Sequence, residues 1–321
     1  WLFEPQSTNL IPYSENFGQW IANGGASVQS GFLAPDGTNN AYKVSGTGSS
    51  SLIFPSITNT TDTRTIYAKT VSGTGDVYLC GNLNDANALF TVTDQWQRFE
   101  LNGFTGGGAT TFSAVDFRGS STLTEVVIWG AQNESLSYAT SYIPTSGATV
   151  TRNQDVCTGA GDATTFNDSE GVLYFEGSSL VNGGVNRDIS ISDGTNNNLV
   201  MFRYDATAGR LTSYVRGGGG AYTIKTTTGF TQTNNNKIAL SWNGDLNIYI
   251  NGSLASSTSI NSLPIGLNEL RFTGMSIAAT KKKAAKLKSG SGGDEFEGKV
   301  KALAVFNEAL TDSELTELTT I

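Results

Sequence analysis

What most limits the fold of this chain is the spacing of its apolar residues, which alternate with polar ones in short runs cut by polar turns. The stretch KIALSWNGDLNIYINGSLASST shows it best. Asn243-Gly244 and Asn251-Gly252 stand between alternating runs, where a tight hairpin needs residues that accept a positive φ. DQWQRFELNGF places Trp96, Arg98 and Glu100 on one face of a strand and Gln97, Phe99 and Leu101 on the other. SLIFPSI, RTIYAKTV, DVYLCGNL and LTEVVIWGA precede these runs or follow them in the first half, and GVLYFEGSSL, RDISISDG, LVMFRYDA and RLTSYVRG read the same way in the second. A period of two with turns this frequent dictates antiparallel sheets, and strands in this number fit a β-sandwich or jelly roll.

The stretch from Trp129 to Val156, WGAQNESLSYATSYIPTSGATVTRNQDV, divides the chain. Pro144 fixes its own φ and drives Ile143 to extended geometry, so an extended strap and not a helix joins the halves. The expected organisation is all-β: two tandem antiparallel β-sandwiches, residues 1–145 and 157–321, joined by a linking strap over 146–156. Helix is confined to the end, where Thr311 caps ALTDSELTELTT, Glu314 completes a capping box and Leu310 can staple onto Leu315. A length of 321 residues accommodates two cores, and a supply of aromatics with only 15% charged residues suits sheets with polar turns. The net charge of −8, split −6 over 1–156 and −2 over 157–321, argues against a nucleic-acid partner. No apolar run nears the ~20 residues of a membrane span, so membrane insertion is not expected. Cys80 and Cys157 fall one in each half, and spacing alone leaves a bridge between them open. The chain opens on Trp1 and not on Met, which fits a processed or partial chain.

The same stretches carry a resemblance. WNGDLNIYINGSLASS, EFEGKVKALAVFNEALTDSELTEL and GVLYFEGS make the second half similar to the laminin-G-like, concanavalin A-like lectin sandwich. TNLIPYSENFGQW, WQRFELNG and VVIWGAQNE make the first half similar to the jelly rolls of carbohydrate-binding modules. The order of both, from FEPQSTNLIPYSENF through SYATSYIPT to KVKALAVFNEALT, resembles a two-module type of bacteriophage virion protein, often a tail fibre or other surface appendage. The resemblance implies a non-enzymatic protein on the virion surface, outside the host cell, that recognises cell-surface polysaccharide or other glycan, with other virion subunits or copies of itself as partners in a homo-oligomer. A structural decoration or filament subunit without sugar binding, and a secreted glycan-active enzyme or its binding module, are the alternatives. Such folds host many functions, so this expectation is one of analogy.

One stretch departs from the resemblance. The short Gly-rich turn expected after LNELRF is replaced by TGMSIAATKKKAAKLKSGSGGDE, in which Lys281, Lys282, Lys283, Lys286 and Lys288 stand with no acid among them. A solvated loop explains such a run, and so does a contact with an anionic partner.

Chemistry is narrowed further by composition. Histidine is absent, which removes Ser-His-Asp and Cys-His catalysis and the usual zinc sites. A carboxylate pair would suffice for glycoside hydrolysis, and Glu295 and Glu297 alternate on one run. The glucanases that the resemblance brings in, however, place an acid-x-Asp-x-acid run on a central concave strand, whereas here Phe296 and Gly298 occupy the alternate positions beside the lysine-rich stretch. Exposed edge-strand acids are the expectation, and no catalytic residue is assigned. Sugar rings stack on aromatic faces while neighbouring polar groups hold the hydroxyls. Trp96 and Trp129 read as core. Trp20, in the turn-rich FGQWIANGG, reads as exposed, and Arg203, Tyr204, Tyr214, Arg216 and Tyr222 gather around Gly217–Gly220. Packing explains each of these as well; as a set they are the candidate sugar-facing surface. No cofactor is required. The resemblance allows a structural Ca²⁺, for which Glu15, Asp36, Asp188 and Asp193 are loop acids of suitable chemistry, although ordinary turn acids look the same.

Overall fold

The computed structural model describes residues 1–58, 62–82, 86–104, 109–272 and 295–321. The five lysines between 281 and 288 lie outside the described residues. Antiparallel strands dominate, with one α-helix among the described residues, as the alternation predicts. The chain separates into two compact units, Gln6–Gln154 and a second one built from Trp1–Pro5 together with Asp155–Ile321. The first five residues, placed by sequence in the first module, thus belong to the second: β1 (Leu2–Phe3) pairs with a strand near the far end of the chain. Residues 150–152 of the linking stretch in turn belong to the first unit, as strand β13 below.

In the N-terminal sandwich the strands are β2 (Ser7–Asn9), β3 (Ile21–Asn23), β4 (Ser27–Phe32), β5 (Ala41–Ser45), β6 (Ser51–Thr58), β7 (Asp62–Lys69), β8 (Gly75–Leu79), β9 (Leu89–Val92), β10 (Gln97–Phe104), β11 (Ala109–Asp116), β12 (Glu125–Glu134) and β13 (Val150–Arg152). They form one sheet in the order β10-β7-β12-β5-β4, a second in the order β3-β6-β11-β8-β9, and a ribbon of β2 with β13. The inward residues of both sheets, among them Val44, Ile66, Val77, Phe112, Val126 and Ile128, make the core. Gly130 takes φ 62 in a bulge between Trp129 and Gln132, so that Ala131 turns to this core after Ile128. Trp20 is in the core too. The 3-10 turn Phe17–Gln19 tucks it against Phe17, Phe54 and Phe112, and its indole N–H donates to the Tyr13 carbonyl at 3.0 Å. The exposure expected of Trp20 is therefore corrected.

The segment after β12 holds its place without a ladder of its own, so its main-chain groups need side-chain partners. Gln132 accepts from the Ile143 amide at 2.6 Å, and Asn9 donates to the Ile143 carbonyl at 2.9 Å. Glu134, fully buried, accepts from the Thr140 amide at 3.0 Å, from the Thr140 hydroxyl and from Ser7 Oγ at 2.6 Å. Ser14 and Thr145 exchange bonds, Ser14 N–H to Thr145 Oγ1 at 3.0 Å and Thr145 N–H to Ser14 Oγ at 2.8 Å. Polar residues inside a sandwich are normally a liability; here each meets a group that would otherwise be orphaned.

In the C-terminal sandwich follow β14 (Gly171–Ser179), β15 (Arg187–Ser192), β16 (Leu199–Tyr204), β17 (Arg210–Arg216), β18 (Thr223–Thr228), β19 (Asn236–Trp242), β20 (Asp245–Ile250), β21 (Ser253–Ser259), β22 (Glu269–Arg271), β23 (Gly298–Phe306) and α1 (Asp312–Thr319). One sheet runs β1-β23-β14-β19-β20-β21 and the facing one β18-β17-β16-β15-β22. Between them lie Leu173, Phe175, Ile189, Val200, Phe202, Tyr204, Ile238 and Trp242. Both hairpin turns fall where the sequence sets them: Asn251 and Gly252 take φ 51 and 82, and Gly244 takes φ 98. Thr311 and Glu314 form the capping box, and α1 lays Leu315 on Val172, Tyr174, Ala239 and Tyr249 of the outer sheet face, with Leu310 packed beside it. Cys80 and Cys157 are both free thiols.

Two outcomes follow from this packing. Asn9 bonds to four main-chain groups, the carbonyls of Ala131 and Ile143 and the amides of Ile11 and Asn133. Asn9→Ala is expected to cost about 3 kcal/mol, since it strands buried partners; urea unfolding measures the loss. On the other sandwich, a hydrogen bond from the Lys301 ammonium, against a cost of burial and helped by Asn235, holds the Glu176 carboxyl below its ordinary 4.5. A depressed carboxyl stabilises the fold above its unfolded value and loses that contribution as pH falls through the folded one. Glu176→Gln is thus expected to destabilise at neutral pH, with the difference from the parent chain closing below pH 4.5; thermal melts across pH test this.

Candidate functional site

Strand alternation decides which nominated residues share a surface. On β16, Phe202 and Tyr204 turn inward while Arg203 turns outward. Tyr204 is fully buried against Phe175, Phe202, Phe230 and Phe296, so it leaves the candidate surface. The outward residues are in register: Asp188, Arg203, Thr212 and Thr226 form one row across the sheet, and Ser190, Met201, Tyr214 and Ile224 the next. Leu199 and Arg216 follow. Arg203, Tyr214, Arg216 and Tyr222 are therefore brought to one face, and Trp20 and Tyr204 are not.

Each of the four is held. Arg203 forms a bidentate pair with the fully buried Asp188, 2.7 Å on both arms, and its guanidinium lies 5.5 Å from the Tyr214 ring centroid. Tyr214 and Tyr222 meet edge to face at 6.2 Å. Burial is the main cause that raises the Tyr214 phenol above its ordinary value, with Arg203 opposing it. Arg216 lies 4.4 Å from the Tyr222 centroid and donates to the carbonyls of Gly220, Asn196 and Gly219 and to the Tyr222 hydroxyl. It thereby clamps the turn at Gly217–Gly220. That turn needs glycine: a Cβ on Gly217 would fall 1.8 Å from the Leu263 carbonyl oxygen, and Gly218 and Gly219 have φ 57 and 72. The two tyrosines remain half-buried and Ile224 beside them is exposed, so the face offers ring surface backed by fixed cations.

The N-terminal sandwich holds a cleft of about 390 Å³ lined by Glu15, Asn16, Asn40, Tyr42 and Thr145 among others. Asn40 links its walls, donating to Glu15 at 2.8 Å and accepting from the Trp129 indole at 2.9 Å. The Tyr142 hydroxyl bridges Ser14 Oγ at 2.7 Å and Glu15 at 3.1 Å, and burial chiefly, with Glu15 adding, pushes this phenol well above its usual range. Sequence reasoning missed this cleft because its lining comes from four separate stretches.

The four acids nominated for Ca²⁺ do not fit the ion. Calcium takes six to eight oxygens, mostly carboxylate and carbonyl. Asp188 is spent on Arg203; Asp193 accepts from Thr195 N–H and Oγ1 and from Asn198; Asp36 accepts from Thr38 N–H and Oγ1; Glu15 accepts from Asn40 and Tyr142. Among the described residues no three acids, cysteines or histidines gather as a metal site. The carboxylates of DEFEG are also revised. Glu297 is not a free edge acid: it lies 3.7 Å from the guanidinium of Arg187, which is buried. Its replacement would disturb more than local charge.

Comparison with known proteins bears on the C-terminal sandwich. Residues 179–316 match the family model of the concanavalin A-like lectin/glucanases superfamily. This lectin-like domain agrees with the resemblance of its hairpin and closing strand. No curated protein matches the chain. Solved structures with some likeness include the Ruminococcus gnavus IT-sialidase CBM40, at 15% identity and TM-score 0.39 over 52% of this chain and 96% of that one. The same module bound to α2,3-sialyllactose gives 17% and 0.40 over 52% and 95%, and the heptameric SAP-like pentraxin from Limulus polyphemus 12% and 0.37 over 50% and 72%. Likeness this distant carries no argument about ligand.

The Arg203–Asp188 pair tests whether the lectin-like face is built as described. Arg203→Ala removes the bidentate partner of a buried carboxylate and is expected to cost about 3 kcal/mol. Adding Asp188→Leu is expected to recover most of that loss, again by urea unfolding.

Proposed function

We propose that this chain is a non-enzymatic phage surface protein, a tail fibre or receptor-binding appendage, that recognises cell-surface glycan through the half-open corner around Tyr214, Arg216, Tyr222 and Ile224 on β17, β18 and the turn between them. The observation that carries the reading is the convergence of Tyr214 and Tyr222 with Arg203 and Arg216 on one face of a lectin-like domain. Half-buried rings supply the surface on which a pyranose stacks, and the guanidinium groups orient them. The phage setting, the virion-surface location and the assembly with like subunits rest on the order of sequence stretches in both modules. Among the described residues no helix is long and apolar enough to cross a membrane.

A structural filament or decoration role is supported by a different feature. β21 closes one edge of its sheet with SLASSTS, a run without charge or proline, and Leu254 on it stands 52% exposed. Edges of this kind are available for pairing with another chain.

The glycan reading is tested on whole host cells and on their isolated surface polysaccharide. Tyr214→Ala and Tyr222→Ala are each expected to weaken binding about tenfold, the loss of one stacking contact, with melting temperature little changed. Unchanged binding in both variants would overturn the glycan reading and leave the structural one.

A further inference from the structure

The outer face of the sheet β10-β7-β12-β5-β4 has no part in the lectin-like surface, and its composition is unusual for this acidic chain. Register sets two neighbouring rows across it. Arg98 faces Tyr67, which faces Trp129; Lys69 faces Val127, which faces Lys43. Trp96 lies at the end of the second row beside Lys69, and Phe32 lies across from Ala41. Aromatic rings and cations therefore lie side by side. Lys69 Nζ sits 5.5 Å from the Trp96 centroid, Arg98 5.8 Å from Tyr67 and Lys43 5.8 Å from Phe32.

Trp96 and Trp129, both expected in the core, are separate from it. They form a satellite cluster in which Trp129 is buried and Trp96, Tyr67 and Phe32 are only half-buried. Trp129 supports the more open rings from below, in edge contact with Tyr67 at 5.3 Å.

Charge singles out the same face. Residues 6–154 carry six lysines and arginines against ten acids. Three of the six, Lys43, Lys69 and Arg98, stand here. Arg64 is buried on Asp62 and Arg118 is paired with Asp116. Lys43 has Glu125 at 3.4 Å and Arg98 has Glu100 at 3.8 Å, but Lys69 has no acidic partner among the described residues. Half-open rings without cations would suit an apolar protein surface or a neutral sugar. Cations beside them add a demand for negative charge, which a ligand meets when its C–H faces stack on the rings and its acidic groups reach the ammonium and guanidinium.

We propose that this face is a second ligand site, which binds an anionic polysaccharide with Trp96 and Tyr67 as stacking platforms and Lys69 and Arg98 as partners of its acidic groups. The site is independent of the lectin-like face. Affinity electrophoresis of the intact chain in gels holding polygalacturonate, dextran sulfate or neutral dextran tests it. Retardation by an anionic polymer is expected, weakening as salt is added because screening shortens to ~8 Å at physiological ionic strength. Trp96→Ala and Lys69→Ser are each expected to lower that affinity about tenfold, while Lys299→Ser, which removes an exposed cation away from this face, leaves it unchanged. If Trp96→Ala lowers the melting temperature, Trp96→Phe, which retains a ring, and Lys69→Ser at a half-buried position carry the test: the first should keep its affinity and the second should lose about tenfold. The proposal is overturned if neither anionic polymer retards the chain, as would be so for a face that takes only an acidic protein. It is equally overturned if neutral dextran retards the chain as much, or if retardation survives both Lys69→Ser and Trp96→Ala.

Discussion

The N-terminal sandwich depends on a set of buried hydrogen bonds between side chains and main chain. Between β12 and β13 runs a segment outside any ladder, whose Thr140, Ile143 and Thr145 are nevertheless buried. Asn9, Gln132, Glu134, Ser14 and Thr145 satisfy it one group at a time. The arrangement is costly to disturb, because in low-dielectric surroundings a half-satisfied network is worse than none. It also fixes Tyr142, which lies 4.7 Å from Trp129 and ties the segment to the outer aromatic cluster. The position of the outer aromatic face is thus set by polar residues beneath it.

Strand register then determines what each surface can present. A β-strand hands alternate residues to opposite faces, so a cluster in sequence becomes two clusters in space. Arg203 and Tyr204 are neighbours in the chain and occupy opposite sides of β16. Conversely Tyr67, Trp96, Arg98 and Trp129 are scattered in sequence and assembled by pairing of three strands.

This explains what could be read in advance. Strands, hairpins, the capping box and the division into two sandwiches are local in origin: Asn251-Gly252 needs only its own φ values, and Thr311 only the helix that follows. The four-residue face of Arg203, Tyr214, Arg216 and Tyr222 was legible because those strands are consecutive. Trp20 was misread because a polar, glycine-rich neighbourhood looks exposed, whereas one 3-10 turn folds it inward onto Phe112. Glu297 was misread because its partner, Arg187, is over a hundred positions away. The buried bonds of Asn9 to Asn133 and Ile143, and of Glu134 to Ser7, join residues equally remote, and no local pattern marks a polar residue as interior.

The pairing of β1 with β23 has its own consequence for how the molecule comes into being. Leu2 and Phe3 align with Lys299 and Gly298, and the Phe3 ring stacks on Phe272 at 4.5 Å. During synthesis the opening residues leave the ribosome long before the strand they join exists. The intervening sandwich can complete its own core in that interval, since all of its strands lie between the two. The lectin-like domain cannot finish until β23 arrives and takes up β1, a closure over nearly three hundred residues that topology makes slow. The order of birth and the order of completion in this protein are therefore opposite for its first five residues.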